Sequence, residues 1–141
     1  MNLNADHLKR CLLTLENSLK FYAEAPQDDI SEEVYRNAVV KSFELSLEVS
    51  GKLLRRALKA FDYSHQTVDA LFFKDVLRYA AKHGLLEAEN LPRWSAYRDN
   101  RNSTAHDYGE AFANETLGLV QQFCKDASAL ERVLCEKFSD V

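Results

Sequence analysis

The sequence is poor in the residues that break helices, with four glycines and two prolines in 141 positions. No strand-like alternation of apolar and polar residues stands out, so a sheet-based fold is set aside. No apolar run approaches the roughly 20 residues of a bilayer span. The start, MNLNADHLKR, lacks the charged-then-apolar order of a signal peptide, and a cytoplasmic location is expected. The cysteines Cys11, Cys124 and Cys135 are odd in number and include no C-x-x-C pair. On one helix Cys124 and Cys135 stand about three turns apart, at 5.4 Å per turn too far to bond. All three are expected to be reduced, small core residues. The histidines His7, His65, His83 and His106 form neither H-x-x-x-H nor a Cys/His cluster, so no metal site is expected. A net charge of −4 supplies little generic phosphate affinity, and any nucleic-acid contact must come from a local basic patch.

What is present is helical periodicity and, at 46% hydrophobic residues, enough apolar material for one core in a single domain over 1–141. Leu8, Cys11, Leu12, Leu15, Leu19 and Tyr22 form one stripe on a first helix, about Asn4 to Tyr22. The loop EAPQDDI follows, with Ser31 expected as N-cap and Glu32 and Glu33 in the first turn of a second helix that runs to about Ala60. Val39, Val40, Phe43, Leu47, Leu54, Ala57, Leu58 and Phe61 make one broad apolar face of that helix, and Val34, Ala38, Leu45 and Val49 make another. A helix with two apolar faces is central in its own bundle or shared with a second subunit; a dimer is expected. The remaining polar strip carries Asn37, Lys41, Glu44 and Glu48, then Lys52, Arg55, Arg56 and Lys59 with no acid between them. This basic stripe is either a solvated face or a track for RNA phosphates or an acidic partner.

The segment DYSHQTV reads as a loop before a third helix, about Asp69 to Lys82, closed by Gly84 at C′. Pro92 suits the first turn of a fourth helix bearing Trp94 and Tyr97, read as packing residues, and ending near His106. Asp107 and Glu110 have capping-box spacing for a fifth helix to about Phe138. The expected fold is therefore an all-α up-and-down bundle of four to five helices, dimeric.

An R-x-x-x-x-H spacing occurs twice, in RYAAKH (Arg78, His83) and RNSTAH (Arg101, His106). The first is ordinary helix with a histidine before a C-terminal glycine. The second has Asn102 after the arginine, the small filler Ser103, Thr104 and Ala105, and Tyr108 beyond the histidine. On an uninterrupted helix Arg101 and His106 lie about 140° apart, so both reach one phosphate only if the helix ends between them or a second copy supplies one of them.

The block W-x-x-Y-R-D-x-R-N-x-x-x-H-x-Y, Trp94 to Tyr108, resembles the signature of HEPN domains of the HepT toxin type. FELSLEVSGKLLRRAL and FFKDVLRYAAKHGLL are similar to helices of the same family, whose members are also known as substrate-binding subunits of minimal nucleotidyltransferases. The resemblance implies a homodimeric, metal-independent ribonuclease acting on mRNA or tRNA, with Arg101 and His106 catalytic and Asn102 supporting. It implies that a cognate nucleotidyltransferase antitoxin, using ATP and a divalent metal of its own, adds AMP to Tyr108; the chain itself needs no cofactor. Retention of the fold as a non-catalytic substrate- or nucleotide-binding subunit is the alternative. Asp99 and Arg98 are read as surface ion-pair residues, and Lys41 and Glu44 as residues facing a dimer cleft.

Overall fold

The computed structural model describes residues 3–61, 63–103 and 110–138. Among these the chain forms six α-helices, α1 (Asp6–Glu24), α2 (Ile30–Lys59), α3 (His65–Ala70), α4 (Phe73–Lys82), α5 (Leu91–Ser103) and α6 (Glu110–Phe138), with a single 3₁₀ turn at Ala88–Asn90 and no strand. The helical bundle matches expectation, with one helix more than the upper count.

The first stripe buries as read: Leu8, Cys11, Leu12 and Leu15 face the core, with Leu19 and Tyr22 packed at its margin. The broad face of α2 closes over them through Val39, Phe43, Leu47, Leu54, Ala57 and Leu58. The start of α2 corrects the expected cap. Asp29, not Ser31, is the N-cap, its carboxylate accepting from Ser31 N at 3.0 Å and Ser31 Oγ at 2.6 Å. A carboxylate at this position also meets the positive end of the helix dipole, which a serine does less well.

The extra helix comes from a break that no glycine or proline announces. Ser64 caps α3 by accepting from Thr67 N at 3.0 Å, so the expected loop DYSHQTV is helical from His65 onward. Leu71 and Phe72 are extended, and α4 starts at Phe73. Arg55 of α2 donates to Val68 O at 2.8 Å and to Leu71 O at 2.9 Å. Carbonyls that a continuous helix would satisfy internally are thus satisfied across the fold, which removes the penalty for stopping. Gly84 has φ +76°, the left-handed C′ geometry expected after α4. His83, next to it, accepts or donates at 2.9 Å to the Tyr63 hydroxyl and stacks on Phe61 at 4.3 Å. The pair Arg78 and His83 is structural, as read.

Phe43 of α2, Trp94 and Tyr97 of α5 and Phe123 of α6 meet edge to face; Phe43–Phe123 and Tyr97–Phe123 centroids are 5.0 and 5.1 Å apart. Below them Asp126, with 5% of its side chain exposed, accepts from Arg93 Nε at 2.9 Å and Nη2 at 2.7 Å, from Tyr97 Oη at 2.6 Å and from Gln122 Nε2 at 3.2 Å. Burial pushes the Asp126 pKa up, but these donors outweigh it and hold the carboxyl below its ordinary range. Burial and the same carboxylate push the Tyr97 phenol well up.

Two expectations change. Cys11 and Cys124 are buried and free, but Cys135 is exposed, its thiol donating to Glu131 at 3.4 Å. The residue follows the fully buried Leu134 by one position, about 100° around α6, which turns it outward. The second apolar face of α2 divides: Val49 is buried within the chain, whereas Val34 and Leu45 are 56% and 43% exposed. No helix among the described residues is long and apolar enough to cross a membrane.

Asp126→Asn is expected to lower unfolding free energy by about 2 kcal/mol at pH 7, measured by urea denaturation. Since the folded carboxyl titrates below the unfolded one, its stabilisation is complete above about pH 4 and fades as pH falls through the folded value. The gap between wild type and variant should therefore narrow on acidification.

Candidate functional site

Helix α5 carries the motif arginine away from a fixed base. Arg93 and Tyr97, four residues apart, are both tied to Asp126 of α6, and Arg101 follows after a further four. Phe43 touches Tyr97 and Glu48 approaches Arg101, so the α2 segment 43–48 runs alongside the α5 segment 97–101 in the same direction. The Arg101 side chain is 33% exposed, and its Nη2 lies 3.9 Å from Glu48 Oε2. A partly exposed guanidinium of this kind has the planar donor set that suits an anion arriving from solvent.

The seam beside it holds buried polar atoms. Glu44, expected on the wet strip, is only 9% exposed, and its Oε1 has no hydrogen-bond partner among the described residues. The broad face of α2 wraps far enough around the helix to draw this position in. Asn100, also buried, accepts from Thr116 Oγ1 at 3.2 Å, while its Nδ2 has no partner among the described residues. Leaving such groups unpaired costs about 1–3 kcal/mol each, a kind of cost that folds retain mainly at working sites. Sequence reading gave Asn100 no role, and its only signal was a polar residue on the buried side of α5, between Tyr97 and Arg101.

The other motif residues are not all described. Asn102 continues α5, but its side chain lies outside the described residues, as do His106, Asp107 and Tyr108. The expected convergence of Arg101 with His106, the Asp107 cap and the exposure of Tyr108 therefore fall outside the described structure.

The basic stripe separates into two kinds of residue. Arg55 holds the end of α3, and Lys59, mostly covered, pairs with Asp69 at 2.8 Å. The hydrogen bond from Lys59 holds the Asp69 carboxyl below its usual range. These two are structural, because a helix the sequence did not reveal brings carbonyls and an acid to them. Lys52, 73% exposed and 3.4 Å from Glu48 Oε1, and Arg56 face outward. Of the flanking residues, Trp94 and Tyr97 are core, as read, and Arg98 lies over the Phe73 ring at 5.3 Å.

Residues 3–136 match the family model for nucleotidyltransferase substrate binding protein like. The chain belongs to this family, the HepT type of HEPN domain. The HepT-type chain is 31% identical over 104 residues, 74% of its length and 70% of the relative's, to a probable ribonuclease HepT of Haemophilus influenzae. It also superposes, with a TM-score of 0.81 and 27% identity, on a Haemophilus influenzae structure solved as the fold of a substrate binding domain of a nucleotidyltransferase. That match covers 93% of the HepT-type chain and 98% of the other. The family resemblance and the helical fold read from the motif are both borne out.

Arg55→Ala should remove both bonds to α3 and cost about 1–2 kcal/mol in thermal or denaturant unfolding. Amide exchange should accelerate first in α3, whose C-terminal end these two bonds hold.

Proposed function

We propose that the protein is the toxin of a HEPN and nucleotidyltransferase pair, a metal-independent endoribonuclease that works as a homodimer. The observation that carries this reading is the intact R-N-x-x-x-H-x-Y block, with Arg101 at the accessible end of a helix clamped to the core at Tyr97. Similarity to a probable ribonuclease HepT supports it.

The chemistry follows from the residue types. The ribose 2′-oxygen attacks the adjacent phosphorus and loses its proton; the bond to the 5′-oxygen breaks, and that oxygen takes a proton. His106, with an unperturbed pKa of about 6.5, accepts or donates these protons, and two copies of it in a dimer divide the roles. Arg101 holds the phosphate oxygens as charge builds on them, and Asn102 adds a hydrogen bond. The products carry a cyclic 2′,3′-phosphate and a 5′-hydroxyl. Neutralisation comes from the partner nucleotidyltransferase, which uses ATP and its own divalent metal to place AMP on the Tyr108 hydroxyl with release of pyrophosphate. A bulky anion two residues from His106 blocks the cleft and repels RNA phosphate. The substrate is mRNA or tRNA. The exposed Val34 of α2 supplies apolar surface for the second copy.

A second reading, a non-catalytic binding subunit that presents a substrate to the same partner, draws on the family description and the superposed structure. It gives the histidine of the block no chemical task.

Expression without the partner should arrest growth, and Arg101→Ala and His106→Ala should each relieve arrest and lower RNA cleavage by about 10²–10³-fold. Equal arrest by wild type and both variants, or none by wild type, would favour the binding-subunit reading. Incubation with partner and ATP should add AMP, seen by mass spectrometry and lost in Tyr108→Phe.

A further inference from the structure

Next to Arg101, on the outer face of α2, lies a recess of about 200 Å³ that the motif does not include. Its floor is aliphatic, made by Leu45, Val49 and Leu53. Lys52 and Arg56 stand on its α2 side, and His7, from the start of α1, on the other. Glu48 forms the wall toward α5, and its two carboxylate oxygens face different cations: Oε1 is 3.4 Å from Lys52 Nζ and Oε2 is 3.9 Å from Arg101 Nη2. A single carboxylate thus separates the motif arginine from the cations of the recess.

We infer that this recess is a subsite for one nucleotide of single-stranded RNA, immediately next to the phosphate held by Arg101. The inference rests on the ribonuclease reading and names how its substrate is gripped. Aliphatic side chains can cover the face of any base without reading its edge, and the cations lining the recess can take the flanking phosphate. Two adjacent phosphates on one strand would lie on either side of Glu48, one at Arg101 and one at Lys52 and Arg56. Glu48 occupies both cations in the empty site and gives them up as the strand arrives. A duplex is excluded by its own geometry, since its bases are stacked inward and cannot lie on a floor this small. Arg55 and Lys59 take no part, being committed to α3.

The test uses equilibrium anisotropy of the full-length protein with a fluorescent 2′-O-methyl RNA tetranucleotide, which cannot be cleaved. The double variant Lys52→Gln, Arg56→Gln should bind about 10-fold more weakly or worse. Its logarithmic salt slope should shallow by about 0.7, for the one single-strand phosphate charge that the two cations no longer neutralise. Glu48→Gln should bind several-fold more tightly, a direction that general disruption of the fold does not produce. Unchanged affinity in the double variant, no binding by wild type, or weaker binding by Glu48→Gln overturns the subsite. So does an unchanged RNA affinity accompanied by altered sedimentation or loss of the nucleotidyltransferase, which would assign the recess to a second copy or to the partner. Cleavage is read separately: a wild type that binds as described but does not cut removes the ribonuclease reading and leaves the subsite, and one that cuts while the double variant binds normally does the reverse.

Discussion

The buried carboxylate of Asp126 accepts from Arg93, Tyr97 and Gln122, and the end of α5 inherits its position from that set of bonds. Tyr97 belongs to two systems at once. Its hydroxyl is fixed by α6, and its ring is wedged between Phe43 of α2 and Phe123 of α6. Three helices distant in sequence are thereby held at one residue, one turn before Arg101. Hydrogen bonding fixes rotation about the helix axis while aromatic packing fixes depth, and neither alone would set both.

The helices were largely legible because their information is local. Apolar spacing located α1 and α2, and Gly84 marked the end of α4 with the left-handed backbone that a C′ position requires. The division between α3 and α4 was not legible, because its cause is Arg55, sixteen residues before Leu71. The same contact explains the partial misreading of the basic stripe. Four cations without an intervening acid look equivalent on a helical wheel, but a side chain's task depends on what tertiary structure brings to it, and α3 brings two carbonyls and Asp69 to Arg55 and Lys59.

The motif was legible as a pattern and only partly as a place. Trp94 and Tyr97 could be sorted into the core from their chemistry, and both are buried, while Arg101 keeps a partly exposed side chain. Glu44 could not, since one acid among several on a polar strip carries no mark of burial. Glu48 was read as part of that strip, yet it stands against Arg101 because α2 and α5 run side by side, a fact of topology.

That α5 is tied to α6 through Tyr97 and Asn100 bears on how the family can diverge. Arg101 contributes a partly exposed guanidinium to the surface and is absent from the buried core, so the bundle does not depend on it for packing. The fold and the motif arginine are separable inheritances in such a protein. A lineage can lose the second, keep the first intact, and continue to serve a nucleotidyltransferase as a rigid helical platform, which accounts physically for one fold carrying both a ribonuclease name and a substrate-binding name among its relatives.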